Sequence, residues 1–171
     1  MNEKSIVLLG ATGSVGQSVL TALKETQIPL YGFTFNHNLA KAQEIIAQYS
    51  PLVVVAFHEP HYKKLKKEHS HLKVLFGLEG IGEMISQSPS YAVVNALLGT
   101  IGLVPSMQTL KLKKRLIMAN KESVVAGSKF LTSLVSCPHQ ILPIDSEHWS
   151  LFTLMHNLKK ENIQELILTA S

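Results

Sequence analysis

Cysteine, charged residues and long apolar runs are all scarce in this sequence. Cys137 is the only cysteine among 171 residues, which excludes an intrachain disulfide and favours a reducing compartment. No apolar run approaches the ~18 residues of a membrane span, and the N-terminal run leads into a glycine turn, not a signal-peptide cleavage site. With 16% charged and 46% hydrophobic residues, a mainly disordered chain is excluded and a sizeable core is expected.

The positive net charge, +4 at pH 7, raises the question of nucleic-acid binding. Much of the basic charge lies in two local runs, Lys63–Lys67 and Lys111–Arg115, with few aromatic residues between the cations. Solvated helix faces explain such runs at least as well as phosphate affinity does. We therefore expect neither a nucleic acid nor a membrane as a partner.

Short apolar segments alternate with segments of helical spacing along the whole chain. The expected strands are Ser5–Leu9, Leu30–Phe35, Leu52–Ala56, Lys73–Phe76, Tyr91–Asn95, Arg115–Met118, Gln140–Ile144 and Glu165–Thr169. The expected helices are Ser14–Glu25, Leu39–Tyr49, Glu59–His69, Glu79–Gln87, Leu103–Lys113, Glu122–Val135 and Glu147–Lys160. Strands rich in Val, Ile and Leu without strict alternation are typically buried on both faces. The sequence therefore predicts an α/β fold with a doubly wound, mostly parallel sheet.

A glycine turn, Gly10-Ala-Thr-Gly13-Ser-Val-Gly16, joins the first expected strand to the first helix. This is the context of a dinucleotide-binding turn in a Rossmann-like fold, although the spacing is G-x-x-G-x-x-G. The backbone N–H groups around Thr12–Val15 would face phosphate oxygens. The alternative is a structural turn without a ligand.

The end of the second strand, Thr34-Phe-Asn-His-Asn38, carries no carboxylate. NAD sites normally have Asp or Glu there to bind the ribose hydroxyls, so this end favours NADP. Asn36, His37 and Asn38 offer hydrogen bonds, and His37 a partial charge. Asn38 is equally suited to cap the next helix, and both roles are compatible.

Two carboxylates, Asp145 and Glu147, follow the seventh expected strand directly. Hard oxygen ligands this close suit Mg²⁺ or Mn²⁺. In the simpler alternative, Asp145 or Ser146 caps the next helix and Glu147 favours its first turn. The neighbouring His148 is interpreted as a structural or solvated side chain.

The segment Ala119-Asn-Lys-Glu-Ser123 similarly ends a strand and opens a helix. Asn120 can donate and accept hydrogen bonds, Lys121 offers a charge for an anionic oxygen, and Glu122 can accept from a ribose hydroxyl. The alternative is an ordinary polar helix start with Asn120 as its cap.

Together these segments resemble the 1-deoxy-D-xylulose 5-phosphate reductoisomerase family. The resemblance rests on GATGSVG at Gly10–Gly16, ALLGTIGLVPS at Ala96–Ser106, ANKES at Ala119–Ser123 and LPIDSEH at Leu142–His148, in that order. The closing LILTAS is similar to the family's strand before its substrate-phosphate loop. The resemblance covers the whole chain but less than half of the family's usual length.

The resemblance implies a set of site residues. Cofactor contacts are implied for Thr12, Gly13, Ser14, Val15, Asn36, His37, Asn38, Asn120 and Glu122. Substrate contacts are implied for Lys121, Ser146 and Ser171, and metal ligands for Asp145 and Glu147, with Lys121, Asp145 and Glu147 as catalytic residues. The family usually has glycine and a basic residue where Asn36 and His37 stand here.

The resemblance also implies the activity. It is the conversion of 1-deoxy-D-xylulose 5-phosphate to 2-C-methyl-D-erythritol 4-phosphate with NADPH and Mg²⁺, Mn²⁺ or Co²⁺, in a cytoplasmic or plastid homodimer. Residues 1–144 would form the NADPH-binding domain and residues 145–171 the beginning of an incomplete catalytic domain. We therefore expect weak NADPH binding and no turnover from these residues alone.

Other readings remain open at this stage. A short-chain dehydrogenase needs Tyr-x-x-x-Lys, and Tyr62 and Lys66 have that spacing, but too early in the chain. A semialdehyde dehydrogenase needs a nucleophilic cysteine, whereas Cys137 is expected to be a buried structural thiol. The non-enzymatic alternative is a nucleotide-binding module in which DSEH is only a helix cap.

Overall fold

A parallel sheet with helices on both faces organises the chain, and the computed structural model describes residues 4–156 and 158–167. Its strands are β1 (Ile6–Leu9), β2 (Leu30–Phe35), β3 (Val53–Ala56), β4 (Lys73–Phe76), β5 (Ala92–Asn95), β6 (Arg115–Met118) and β7 (Ile141–Pro143). Its α-helices are α1 (Ser14–Thr26), α2 (Leu39–Tyr49), α3 (Glu59–Glu68), α4 (Gly77–Gln87), α5 (Leu103–Lys111), α6 (Lys121–Leu134) and α7 (Ser146–Met155). The described residues also form 3-10 helices at Gly99–Gly102 and Lys160–Asn162.

The seven strands lie in the order β4-β3-β2-β1-β5-β6-β7, and every neighbouring pair is parallel. All four residues of β1, of β3 and of β5 are buried. Parallel strands need crossover helices, and these helices cover both faces of the sheet. The predicted doubly wound α/β fold is confirmed.

The core has one layer on each face of the sheet. Leu8, Phe33 and Leu65 belong to the cluster on one face, where α1, α2 and α3 pack. Ile81 and Met84 of α4 pack in a second cluster on the opposite face. These two layers fix the sheet, so loops at its edge are held on a rigid base.

The strand order reverses beside β1, which pairs with β2 on one side and with β5 on the other. In open parallel sheets, loops that leave such a point in opposite directions open a crevice at the carboxyl ends of the strands. The glycine turn after β1 and the loop after β5 border this crevice, as described below.

A buried glutamine determines where β7 begins. Gln140, 1% exposed, donates from Nε2 to the carbonyl oxygens of Leu110 (3.1 Å) and Lys114 (3.2 Å). Its Oε1 accepts from the backbone N–H of Ser136 at 2.7 Å. Ser136 Oγ donates to the same oxygen at 3.1 Å. Both donors and both acceptor positions of this amide are therefore used, which holds the strand that leads to Asp145.

The structure differs from the sequence-based expectations mainly after β7. Helix α7 ends at Met155, not at residue 160, and buries none of its residues. Residues 165–167 form no strand, and Ile167 is 76% exposed, so the expected strand at Glu165–Thr169 is wrong over these residues. Its last two residues lie outside the described ranges. No α-helix within the described ranges combines the length and apolarity that crossing a bilayer requires.

Candidate functional site

The turn after β1 brings two parts of the sheet close together. Gly10 has φ +83°, and a Cβ there would lie 2.5 Å from the carbonyl oxygen of Ala96, after β5. The Gly10 N–H also donates to Thr34 Oγ1 of β2 at 2.7 Å. Only glycine fits this position, because both the backbone angle and the close approach exclude a side chain.

Gly13 and Gly16 serve different purposes in the same turn. A Cβ on Gly16 would lie 2.4 Å from the Gly10 carbonyl oxygen, so this glycine is needed for packing α1 against the turn. A Cβ on Gly13 would meet only that oxygen, at an ordinary 3.5 Å, and the backbone there is extended (φ −80°, ψ 171°). The protein's own packing therefore does not require glycine at position 13.

Gly13 is the N-cap of α1, and no side chain caps this helix end. The first N–H groups of a helix lack partners within the helix and carry a partial positive charge. An anion can therefore approach the start of α1 through the space that a side chain at Gly13 would fill. Ser14 begins the helix and is exposed.

Two cavities adjoin along the crevice beside β1. One, of about 270 Å³, is lined by Gly10, Thr12, Gly13, Thr34, Phe35, Asn36, Phe57, Ala96, Leu97, Leu98 and Ile101. The other, of about 200 Å³, is lined by Val15, Ala96, Leu97, Leu98, Ala119, Asn120, Lys121 and Glu122. They share the loop after β5, so most of the predicted cofactor residues border one elongated depression.

The loop after β5 is the part of this depression for which the sequence analysis named no site residue. Leu98 is 86% exposed at the junction of the two cavities, and Gly99 has φ +71°. The signal was available in the sequence, because this glycine-containing loop follows a buried strand as the first glycine turn does.

Asn38 caps α2, as one of the two open interpretations proposed. Its Oδ1 accepts from the backbone N–H of Lys41 at 3.0 Å. Asn36 lines the larger cavity, whereas His37 is exposed in the loop between them. The end of β2 therefore lies at the larger cavity. The cofactor contacts predicted for Asn36, His37 and Asn38 stay predictions.

Asn120 is the cap of α6, and its side chain also holds the loop after β5. Its Oδ1 accepts from the N–H of Ser123 at 2.6 Å. Its Nδ2 donates to the carbonyl oxygens of Leu97 and, at 2.7 Å, Gly99. This amide is 2% exposed, so it positions the loop that divides the two cavities. Its cofactor contact stays a prediction.

Lys121 lies between the two predicted metal ligands. Its Nζ is 3.0 Å from Glu147 Oε2 and 3.6 Å from Asp145 Oδ1. Ser146 Oγ donates to the same Glu147 oxygen at 2.8 Å. The sequence analysis assigned these four residues to one site, and the structure brings them together at the carboxyl end of β7.

Asp145 is also the N-cap of α7, as the simpler alternative proposed. Its Oδ1 accepts from the backbone N–H of His148 at 3.1 Å. The His148 Nδ1–H donates to the same oxygen at 2.7 Å, because a carboxylate can only accept. His148 therefore orients Asp145, in agreement with its interpretation as a structural residue.

The surroundings favour the ionised forms of both carboxyl groups. The hydrogen bond from Lys121, followed by that from Ser146, lowers the pKa of Glu147 to about 2. Burial opposes ionisation of Asp145, but hydrogen bonds from His148 and the charge of Lys121 outweigh it and lower its pKa. The hydrogen bond to Glu147 raises the pKa of Lys121 above its usual range. All three groups are therefore charged at neutral pH.

The described residues contain no group of three or more His, Cys, Asp or Glu side chains placed to hold a metal ion. Asp145 and Glu147 alone can supply hard oxygen ligands to a cation that replaces the Lys121 ammonium. A cavity of about 310 Å³ beside them is lined by Met118, Asn120, Lys121, Val124, Ile141, Pro143, Asp145, His148 and Phe152. Ser171, the remaining predicted substrate contact, lies outside the described residues.

Lys121→Met is expected to raise the pKa of Glu147 from about 2 towards its usual 4.5, because the largest stabilising contact of the carboxylate is lost. A carboxyl with a depressed pKa stabilises the fold above pH 4.5 and loses this contribution as the pH falls towards 2. Between pH 4.5 and 2, the unfolding free energy of the variant should therefore depend less on pH than that of the wild type.

Side-chain ¹³C NMR titration of Glu147 measures the shift directly. Lys159→Met is the matched control, since Lys159 forms a long, exposed pair with Glu161 (3.9 Å) elsewhere. An unchanged Glu147 midpoint in Lys121→Met contradicts the assignment of Lys121 as its main partner.

Three other sequence-based interpretations can be compared with the structure. The basic run in α3 pairs with carboxylates of the same helix, as in Lys63–Glu59 (2.6 Å), which fits a solvated helix face. Tyr62 and Lys66 contact each other at 3.1 Å but line neither cavity of the crevice.

Cys137 is exposed, so the expected buried thiol is wrong. This residue lies in an irregular, mostly exposed segment between α6 and β7.

Comparison with known proteins places these features in one family. The profile of the 1-deoxy-D-xylulose 5-phosphate reductoisomerase family matches residues 6–128. The chain is 33% identical over 171 residues to the Listeria innocua protein of that name, covering 98% of this chain and 45% of the relative. It is 37% identical over 166 residues to the Wolinella succinogenes protein, covering 97% and 44%.

Solved structures give the same result. A crystal structure of DOX-P reductoisomerase in complex with magnesium superposes with a TM-score of 0.78 at 28% identity, covering 86% of this chain and 38% of that one. A complex with NADPH, fosmidomycin and magnesium gives 0.73 at 28% identity, covering 85% and 37%. The chain thus spans less than half the length of the proteins it matches. On this evidence, the chain belongs to the 1-deoxy-D-xylulose 5-phosphate reductoisomerase family.

Proposed function

We propose that this chain binds NADPH at the crevice beside β1 and contributes Asp145, Glu147 and Lys121 to a divalent-metal site. The activity would be the reductive isomerisation of 1-deoxy-D-xylulose 5-phosphate to 2-C-methyl-D-erythritol 4-phosphate. One observation carries the proposal. The ionised carboxylates of Asp145 and Glu147 both contact Lys121, which also lines the smaller cavity of the crevice beside β1. The substrate would be the small sugar phosphate, in a cytoplasmic protein.

The crevice fits NADPH in two respects that its own residues define. The start of α1 has no side-chain cap, and Gly13 leaves open the space that a diphosphate would need. The end of β2 has no carboxylate to repel a 2′-phosphate. Thr12–Val15 would hold the diphosphate through backbone N–H groups, and Glu122 would accept a hydrogen bond from a ribose hydroxyl.

The carboxylate site fits a hard divalent cation such as Mg²⁺ or Mn²⁺. The lowered pKa values keep Asp145 and Glu147 ionised at neutral pH, so a cation can bind without proton release. Lys121 would move from the carboxylates to an anionic oxygen of the substrate, with Ser146 as a further donor. When bound, NADPH supplies the hydride and the cation supplies positive charge beside the substrate oxygens.

The division into residues 1–144 for NADPH and 145–171 for the start of a catalytic domain belongs to this proposal. What supports it is that β7 is the last strand of the sheet among the described residues and that α7 buries none of its side chains. A helix without buried residues gains little from the preceding domain. Two carboxylates alone would hold a cation weakly, so we expect these 171 residues to show no turnover by themselves.

Coenzyme binding and turnover test the proposal separately. Titration of the full chain with NADPH, followed by coenzyme fluorescence, is expected to show saturable binding. The natural polypeptide that carries this sequence is expected to oxidise NADPH only when 1-deoxy-D-xylulose 5-phosphate and Mg²⁺ or Mn²⁺ are present, and to stop on addition of EDTA. Absence of NADPH binding, or NADPH oxidation unaffected by EDTA, refutes the proposed function.

A further inference from the structure

Three histidines cluster where β2 and β3 end. His37 follows β2, His58 is the residue before α3, and His61 lies in its first turn. The ring centroids of His37 and His58 are 5.8 Å apart, and those of His58 and His61 are 4.5 Å apart. His37 and His58 are exposed and His61 is half-buried, so the cluster is open to a ligand.

The ring of His61 is held in a defined orientation. It stacks on Phe35 at 15° and 6.0 Å between centroids, and its Nδ1 lies 3.2 Å from the carbonyl oxygen of Asn36. A carbonyl oxygen only accepts, so Nδ1 carries the proton and donates. The free Nε2 accepts a hydrogen bond in the neutral ring and donates one when the ring is protonated.

The cluster adjoins the crevice through Asn36. Asn36, whose carbonyl binds His61, lines the larger cavity together with Thr12 and Gly13. In dinucleotide-binding folds the end of this second strand faces the ribose of the adenosine half, and an arginine there accommodates a 2′-phosphate. The loop Asn36–Asn38 contains neither Arg nor Lys.

We propose that His58 and His61 of α3 join His37 to bind the 2′-phosphate of NADPH, and that they make the preference for NADPH over NADH dependent on pH. The inference rests on the proposed coenzyme site and adds residues from a third segment to it. A protonated imidazole donates a charge-assisted hydrogen bond to a phosphate oxygen, whereas the neutral Nε2 presents a lone pair to it.

Charged groups on the flanking helices are mostly paired with each other. On α3, Glu59 lies next to His58 and is bound by Lys63 at 2.6 Å, whose hydrogen bond lowers the pKa of that carboxyl. On α2, Lys41 pairs with Glu44 at 3.0 Å. The nearby carboxylates are therefore neutralised locally and do not oppose an anion at the imidazoles.

The expected pH dependence follows from two ionisations. Imidazole side chains lose their charge between about pH 5 and 8, and a phosphate monoester is mainly a dianion above about pH 6. The ratio of NADH to NADPH dissociation constants should therefore fall by about 10-fold between pH 6.5 and 8.5, the loss expected for one charge-assisted hydrogen bond. The dissociation constant of NADH, which lacks the 2′-phosphate, should change little between these two pH values.

The test compares NADPH and NADH binding to the full chain at both pH values, in the wild type and in His58→Gln/His61→Gln. The double variant is expected to lose about 10-fold in NADPH affinity at pH 6.5, to keep its NADH affinity, and to lose most of the pH dependence. The ³¹P NMR signal of the 2′-phosphate should shift on binding to the wild type and not to the variant. His69→Gln/His71→Gln, a second pair at 6.0 Å beyond the end of α3, is the matched control.

A fixed charge provides a further check. Adding His37→Arg to the double variant is expected to give a preference for NADPH that is equal at pH 6.5 and 8.5, because guanidinium stays protonated. A wild-type preference that does not vary with pH, or one that the double variant retains, overturns the inference while leaving the dinucleotide site intact. If neither coenzyme binds the wild type, the proposed function fails as well.

Discussion

Gly13→Ser is expected to weaken NADPH binding by about 10- to 100-fold without loss of stability. Serine is a preferred N-cap residue, and the extended backbone at position 13 is the one that N-caps adopt. Its Cβ would meet only the Gly10 oxygen at 3.5 Å, so the fold accommodates it. The new hydroxyl would bind the N–H groups that the diphosphate needs, and each hydrogen bond to a charged group contributes about 1.5–3 kcal/mol.

Gly16→Ala is the contrasting variant in the same turn. Its Cβ would lie 2.4 Å from the Gly10 oxygen and 2.7 Å from the Ala11 backbone, neither of which can move without shifting the turn. Overpacking against backbone typically costs about 1–3 kcal/mol or more, so we expect unfolding free energy to fall by about 3 kcal/mol.

Urea denaturation and NADPH titration of both variants separate the two roles. Gly13→Ser should match the wild type in denaturation midpoint and differ in coenzyme affinity, whereas Gly16→Ala should have a lower midpoint. Wild-type NADPH affinity in Gly13→Ser would show that the start of α1 is not the diphosphate site.

Asp145→Asn is expected to lower turnover on the order of 1000-fold in the natural polypeptide that carries this sequence. A bound cation supplies several kcal/mol of charge stabilisation, and each 1.36 kcal/mol changes a rate tenfold. Asparagine keeps an oxygen that can accept from the His148 N–H, so the cap of α7 is preserved while the negative charge is lost. Glu147→Gln should have a similar effect for the same reason.

The control for these variants is Glu161→Gln, which removes an exposed carboxylate that lines neither cavity of the crevice. NADPH affinity should stay within about 2-fold of the wild type in all three proteins, because the diphosphate site at α1 is unaltered. Mn²⁺ titration followed by electron paramagnetic resonance should show weaker binding in Asp145→Asn. Unchanged Mn²⁺ affinity would instead favour the nucleotide-binding module in which DSEH is only a helix cap.

The sheet could be predicted from the sequence because its strands are short and apolar, and β1, β3 and β5 are buried on both faces. Leu30–Phe35 and Arg115–Met118 match the expected strands residue for residue. The expected extension of α7 to residue 160 is wrong, and Leu158, the apolar residue that would continue its spacing, is 54% exposed, so burial adds little to a longer helix. Leu154, 70% exposed, has the apolar character of a core residue without the packing.

For the site, the sequence indicates which residues take part but not how their side chains are arranged. Asn38, Asn120 and Asp145 each had two open interpretations, and all three cap helices in the structure. The spacing of Asp145 and Glu147 does not reveal that Lys121, from another strand end, lies between them, since this contact depends on the pairing of β6 with β7. His58 and His61 reach His37 only because β2 and β3 are neighbours.

The strand order also bears on how the protein is made. Strands β2, β3 and β4 each pair with the strand translated just before them, as do β6 and β7, whereas β5 returns to β1, pairing Ala92 with Ile6. None of these seven strands has to insert between two that are already paired. As the nascent chain leaves the ribosome, each new strand can therefore add to an open edge, so native structure can accumulate during translation.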